Sequence, residues 1–112
     1  MKMIAAVVLG MAACAAPALA QDSAVIAHGE KVYAAQKCAL CHSIAGKGNK
    51  KGALDEGAAK LTAAEIREWI VKAPEMTAKT KATRKPAMKS YAQLPEDDIK
   101  ALVAYVLSVK KS

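Results

Sequence analysis

Apolar residues recur every three to four positions in three stretches of the chain, residues 24–36, 62–73 and about 95–110. This spacing places them on one face of a helix, so each stretch predicts an amphipathic α-helix. No stretch alternates apolar and polar residues as a half-buried strand would. The pattern therefore predicts an all-α fold with helices at both ends.

The second and third helices carry recognisable end signals. Thr62 and Glu65 have the spacing of a capping box, and Pro74 is expected to end the second helix. Pro95 suits a first helical position, and the acidic residues after it favour the positive end of the helix dipole. The apolar stripe of this last helix consists of Ile99, Leu102, Val103 and Val106.

Two segments between the helices lack a sustained period. Residues 43–60 form a lysine-rich stretch punctuated by Gly46, Gly48, Gly52 and Gly57, which predicts a loop. Residues 75–93 are rich in basic side chains and are predicted to form an extended loop before the last helix.

The first twenty residues resemble an export signal. Lys2 precedes an apolar run, and small residues at Ala18 and Ala20 predict cleavage before Gln21. The run is too short for a membrane anchor, which needs about 20 apolar residues. A third interpretation is a weak lipobox ending at Cys14, which would tether the protein through a lipid. The predicted organisation is a cleaved signal peptide, residues 1–20, followed by one exported domain, residues 21–112.

Composition limits what the mature chain can do. Only Lys2 among the charged residues is lost on cleavage, so the net charge falls from +7 to +6. This balance fits either an acidic partner surface or a charge that serves only solubility, and charge alone does not distinguish them. The chain has no Phe, one Trp and three Tyr, and a domain of this size is marginal without an additional stabilising element. The shortage of large side chains indicates that something else fills the core.

The two mature cysteines occur together in Cys38-Ala-Leu-Cys41-His42. A structural zinc site normally needs a second pair of ligands, and the mature chain has none. A thioredoxin-like disulfide is expected next to a βαβ pattern, which this sequence does not show. A structural disulfide that closes so small a loop would add little to the stability of the fold. Covalent haem attachment fits better, because two thiols on one turn can add to two vinyl groups of one porphyrin. His42 would then be the proximal iron ligand.

Three mature side chains are candidates for the other axial position. Met88 is favoured because it lies in a flexible segment before the last helix, from which a thioether can reach the opposite side of the haem. Met76 lies close to the end of the second predicted helix, so its side chain has less freedom to reach the iron. His28 lies on the helix that leads into Cys38, so it is expected on the proximal side.

These features together resemble a class I cytochrome c of the small bacterial periplasmic monohaem type, over essentially all of residues 24–110. The resemblance rests on the haem motif and on the order of Gly29, Tyr33, the helix EIREWIVKAP, the PAM segment and ALVAYVLSV. It implies one haem c attached through Cys38 and Cys41.

The resemblance also implies site details. It makes His42 and Met88 the axial iron ligands, and it places Leu54, Trp69 and Tyr91 against the haem. It implies that the first and last helices cross, with Gly29 and Tyr33 near Leu102 and Tyr105.

Two departures from the family pattern concern the haem ligands. Ala53 stands where the family has a proline whose carbonyl orients the histidine, so the resemblance implies that the Ala53 carbonyl orients His42 on a less rigid backbone. Lys89 follows the methionine in place of a proline, so the loop is expected to open more easily.

The expected function is electron transfer as a periplasmic carrier rather than as an enzyme. A haem iron with His and Met ligands has no free site for substrate and changes oxidation state with little movement. The alternatives are a haem subunit fixed in a larger oxidoreductase complex, and a small-ligand sensor or peroxidase with a weak sixth ligand. The oxygen-binding cytochrome c′ bundles are disfavoured because their haem motif lies near the C-terminus.

The expected partners are redox proteins with acidic docking surfaces, and no nucleic acid, membrane insertion or oligomer is expected. The basic residues available for docking are Lys47, Lys50, Lys51, Lys79, Lys81, Arg84, Lys85 and Lys89.

Overall fold

The computed structural model describes the backbone of residues 15–111 and the side chains of residues 23–111. Its helices are α1 (Ala15–Ala35), α2 (Leu54–Gly57), α3 (Ala63–Val71), α4 (Ala73–Thr80) and α5 (Glu96–Val109). Strands β1 (Ser43–Ile44) and β2 (Lys47–Gly48) pair antiparallel, and 3₁₀ turns cover Cys38–Leu40 and Lys50–Gly52. The prediction of an all-α fold is confirmed.

The crossing of α1 and α5 is the principal interhelical contact. Gly29 allows the two backbones to meet, because a Cβ at this position would overlap the Ala101 carbonyl and lie 2.7 Å from the Tyr105 Cβ. One turn later, Tyr33 packs edge-on against Tyr105 with ring centroids 5.5 Å apart. The predicted proximity of Gly29 and Tyr33 to the last helix is confirmed.

Helix α3 begins as the sequence predicted. The Thr62 hydroxyl accepts a hydrogen bond from the Glu65 backbone N–H at 3.2 Å, and the Glu65 carboxylate accepts one from the Thr62 N–H at 3.0 Å. These two bonds satisfy donors that a helix N-terminus otherwise leaves unpaired. The apolar face of α3 then packs into a core whose buried members are Val32, Ala58, Ile66, Ile70, Ile99, Leu102 and Val106.

The prediction for residues 75–93 was wrong in its first part. Helix α3 ends at Val71, before Pro74, and Pro74 lies in the first turn of α4. Proline is tolerated there because its missing N–H would be unpaired in any case. Helix α4 buries only Ala73 and Met76, so its apolar face is too short to produce a recognisable period. The loop begins after Lys81 and extends to Pro95.

The predicted loop over residues 43–60 contains a β-hairpin and the short helix α2. Ala45 and Gly46, the two residues between the strands, both have positive φ, at 52° and 77°. This geometry matches the right-handed twist of paired strands. Each strand has two residues, which is too few to show alternation in the sequence.

The N-terminal predictions concern residues that lie largely outside the described chain. Residues 1–14, and Cys14 with them, are outside it, while α1 runs through the predicted cleavage position between Ala20 and Gln21. Among the helices of residues 15–111, none has the length and apolar character needed to cross a membrane.

Candidate functional site

The Cys38–His42 segment forms a tight turn directly after α1. Lys37 adopts a left-handed conformation that redirects the chain, and the N–H groups of Cys41 and His42 both donate to the Cys38 carbonyl, at 3.1 and 2.9 Å. Both cysteines are free thiols; Cys38 is partly buried and Cys41 is exposed. The turn therefore presents two thiols and an imidazole from five consecutive residues.

The chemistry of Cys38 argues against a redox-active dithiol. Burial raises the pKa of this thiol to about 11, an effect that the neighbouring Cys41 reinforces. A thiol of this pKa is protonated near neutral pH and is a poor nucleophile, whereas redox-active cysteines have lowered pKa values. Within residues 23–111, no three His, Cys, Asp or Glu side chains group together as a metal site. Neither the disulfide nor the zinc interpretation gains support.

The His42 ring is held in one tautomer. Its Nδ1 lies 2.9 Å from the Gly52 carbonyl oxygen, which can only accept, so Nδ1 carries the proton and the Nε2 lone pair remains free. Burial lowers the pKa of His42; the Gly52 hydrogen bond opposes this lowering and the Arg84 cation adds to it. The result is a neutral, oriented imidazole, the form in which histidine binds iron.

The carbonyl that orients His42 belongs to Gly52 and not to Ala53, so the expectation for Ala53 was wrong. The Ala53 carbonyl instead accepts a hydrogen bond from the Gly57 N–H at 2.7 Å and forms the first turn of α2. The Ala53 backbone also bridges to Ser43, which is almost fully buried. These contacts hold residues 52–53 against residues 42–43.

Gly52 occupies a space that admits no side chain. A Cβ there would overlap the Cys41 carbonyl and the Arg84 guanidinium and would lie 2.9 Å from His42 Nδ1. Glycine is therefore required for the backbone to approach the imidazole so closely.

Met88 lies partly buried in the loop before α5. Just after it, the Ser90 hydroxyl donates to the Val71 carbonyl at 2.6 Å, and the Tyr91 N–H donates to the Ile70 carbonyl at 2.8 Å. The loop is thus fixed to the end of α3 immediately after Met88.

The other candidate ligands have different surroundings. Met76 is buried in α4, and His28 is an exposed residue whose Nε2 lies 2.7 Å from Asp98 Oδ1 at the start of α5. The His28 side chain therefore contacts the first turn of the last helix.

The residues predicted to contact haem are half-buried. Leu54 and Tyr91 pack against the edge of the hydrophobic core, and Trp69 is half-buried on α3. Burial raises the pKa of Tyr91, and the electrostatic influence of Cys38 and Cys41 raises it further.

No motif in the sequence indicates a site role for the Tyr33 hydroxyl. This oxygen is buried and has no hydrogen-bond partner among the described residues. Burial, followed by the electrostatic influence of Cys38, raises the pKa of Tyr33 to about 12. An unpaired buried hydroxyl costs about 1–3 kcal/mol, so its burial favours a bound group that supplies a partner. The only signal in the sequence is its position five residues before Cys38.

A basic cleft of about 550 Å³ opens beside Cys41. Its described lining residues are Leu40, Cys41, Asn49, Lys51, Thr83, Arg84, Lys85 and Pro86. None of them is acidic, and Leu40 is 72% exposed at the edge. The other five basic residues predicted for docking are exposed but do not line this cleft.

A family model described as cytochrome c matches residues 26–110. The chain belongs to the cytochrome c family. No curated protein and no solved structure matched significantly. The match covers both terminal helices, the Cys38–His42 turn and the loop with Met88. Members of this family bind haem c covalently and act in haem-based electron transfer.

The described residues of this cytochrome fit a haem. Two free thiols and a neutral imidazole form the donor set of the attachment motif. The buried Tyr33 hydroxyl without a partner and the half-buried Leu54 lie in a domain whose side-chain core is small. A covalently bound porphyrin would supply the apolar bulk that this composition lacks.

Proposed function

We propose that this cytochrome is an exported one-electron carrier with a single haem c ligated by His42 and Met88. The observation that carries the proposal is the single tautomer of His42, whose Nε2 lone pair is free and whose ring follows Cys41 directly and Cys38 by four residues. Met88 supports it, since the loop that contains this thioether is anchored by Ser90 and Tyr91.

Each residue has a defined role in this proposal. Cys38 and Cys41 would hold the porphyrin through thioether bonds, and His42 Nε2 would bind the iron while the Gly52 carbonyl fixes the imidazole ring. Met88 would supply the second protein ligand, and Tyr91 would pack beside the haem. The haem iron, when bound, would supply the one-electron couple. Because both ligands belong to segments fixed by hydrogen bonds, the protein would need little rearrangement on changing oxidation state.

A redox titration of the holoprotein tests the carrier function. We expect a reversible one-electron transition, and we expect carbon monoxide to bind the reduced protein slowly or not at all. Rapid, stoichiometric binding of carbon monoxide would instead support the small-ligand sensor or peroxidase. A stable complex with other subunits, isolated from the native source, would support the fixed subunit.

We propose that the cleft beside Cys41 docks acidic partner surfaces. Lys51, Arg84 and Lys85 provide its positive charge, and the exposed Leu40 provides an apolar contact. Such a surface attracts an acidic partner at long range and loses this attraction as salt is added.

Small redox reagents of opposite charge test this surface without a known partner. We expect electron exchange with anionic ferricyanide to slow as ionic strength rises, and exchange with a cationic cobalt phenanthroline complex to accelerate. A double variant with reversed charges in the cleft, Lys51→Glu with Lys85→Glu, should exchange electrons with ferricyanide about threefold or more slowly at low salt. The matched control reverses the charges of two exposed lysines outside the cleft, Lys60→Glu and Lys100→Glu. Equal losses in both double variants would contradict a localised docking surface.

We propose that the cytochrome is periplasmic and begins at Gln21 after processing. Mass spectrometry of the exported protein should give the mass of residues 21–112 plus one haem. Ala20→Arg should block cleavage, because signal peptidase requires a small residue there. A chain that begins at a lipid-modified Cys14 would contradict the proposal and favour the tethered form.

A further inference from the structure

Arg84 reaches from the loop before Met88 to the support of the proximal histidine. Its Nη1 atom occupies part of the space that a side chain at Gly52 would need. The same space is bounded by His42 Nδ1, and the Gly52 carbonyl accepts the hydrogen bond from that nitrogen. The guanidinium therefore lies beside the backbone that orients His42.

The positive charge of Arg84 is not neutralised locally. Among the described side chains, the ion pairs join His28 to Asp98, Arg67 to Glu96 and Lys111 to Glu56, and none includes Arg84. The other ionic residues that line its cleft are the cations Lys51 and Lys85. Their charges add to that of Arg84 and do not offset it.

A cation at this position acts on the redox equilibrium through His42. The Gly52 hydrogen bond makes the imidazole a stronger electron donor, which would favour the oxidised iron. The Arg84 charge acts in the opposite direction, because oxidation adds a positive charge and like charges repel.

We propose that Arg84 is a positioning residue that raises the reduction potential of the haem by holding a cation against the His42–Gly52 pair. The inference rests on the proposed ligation by His42 but not on the identity of the sixth ligand. It assigns Arg84 a role distinct from the docking charges, because the Arg84 guanidinium lies against Gly52, whose carbonyl orients His42.

Midpoint potentials of three holoprotein variants test the role of this charge. Arg84→Gln should lower the potential, so that the ratio of oxidised to reduced protein at a fixed applied potential rises about threefold to tenfold at low salt. Arg84→Lys, which keeps the charge, should retain most of the wild-type potential. Lys85→Gln removes the same charge from the same cleft without the contact to Gly52, and should have a smaller effect.

Three outcomes of the potential measurements would overturn the inference. The first is an equal shift for Arg84→Gln and Lys85→Gln, and the second is a potential for Arg84→Lys as low as for Arg84→Gln. The third is no shift in any variant.

The methionine-to-iron absorption band separates this test from that of the proposed ligation. Its absence from the wild type would refute ligation by Met88, whereas the comparison of potentials would still be valid. Its loss in Arg84→Gln alone would show that Arg84 acts by holding the loop, which also overturns a direct effect of charge.

Discussion

Replacing Met88 with alanine is expected to abolish the methionine-to-iron charge-transfer band of the oxidised protein and to lower its reduction potential. A thioether ligand stabilises reduced iron more than a nitrogen or oxygen ligand does, so its removal favours the oxidised state. Met88 is the partly buried methionine of the loop that Ser90 and Tyr91 fix to α3. The variant should also acquire an open coordination position, which rapid binding of carbon monoxide to the reduced protein would detect.

Met76→Ala is the matched control. This side chain is 7% exposed and lies on α4, so its loss should reduce the free energy of unfolding by about 2–5 kcal/mol while the charge-transfer band remains. His28→Ala should also retain the band, because His28 is engaged by Asp98. Loss of the band in Met76→Ala and its retention in Met88→Ala would show that the assignment of the sixth ligand is wrong.

Elements whose signals are local could be predicted from the sequence. Thr62 and Glu65 are three residues apart, and the capping box that they form depends on little else. The stripe of α5 is long enough to show its period, and three of its four predicted members, Ile99, Leu102 and Val106, are buried. The haem motif is likewise contained in five consecutive residues, so its chemistry could be predicted without knowledge of the fold.

Features that depend on distant backbone contacts could not be predicted. Helix α4 has one short buried face, and the hairpin depends on positive φ angles at Ala45 and Gly46. His42 pairs with the Gly52 carbonyl, while the Ala53 carbonyl accepts the Gly57 N–H in the first turn of α2. A family pattern places the segment but does not determine which of two adjacent carbonyls faces the imidazole.

The same distinction applies within the site. Cys38, Cys41 and His42 were predicted because their function requires them to be adjacent in sequence. Arg84 was predicted only as a surface charge, since its contact with Gly52 joins residues far apart in the chain. The composition indicated that a non-protein group fills the core, but it did not indicate that the Tyr33 hydroxyl would lie buried without a partner among the described residues.

Gly29→Ala is expected to lower the free energy of unfolding of the holoprotein by about 1–3 kcal/mol, as measured by denaturant titration. Helix propensity alone predicts the opposite sign, because alanine is favoured over glycine in a helix by about 1 kcal/mol. Packing should outweigh propensity here. The added methyl would overlap the Ala101 carbonyl, and backbone atoms cannot move aside by changing rotamer. Relief requires α1 and α5 to separate.

Gly57→Ala provides the matched control, since it is the same substitution near a helix end. Gly57 is exposed, and a Cβ there would meet no atom within 4 Å. It should therefore change stability by less than about 1 kcal/mol, toward greater stability if the loss of unfolded-state freedom dominates. If Gly29→Ala were also neutral or stabilising, the crossing of the helices would tolerate a wider separation than the structure shows. The requirement for glycine would then come from a cause other than the close contact of α1 with Ala101.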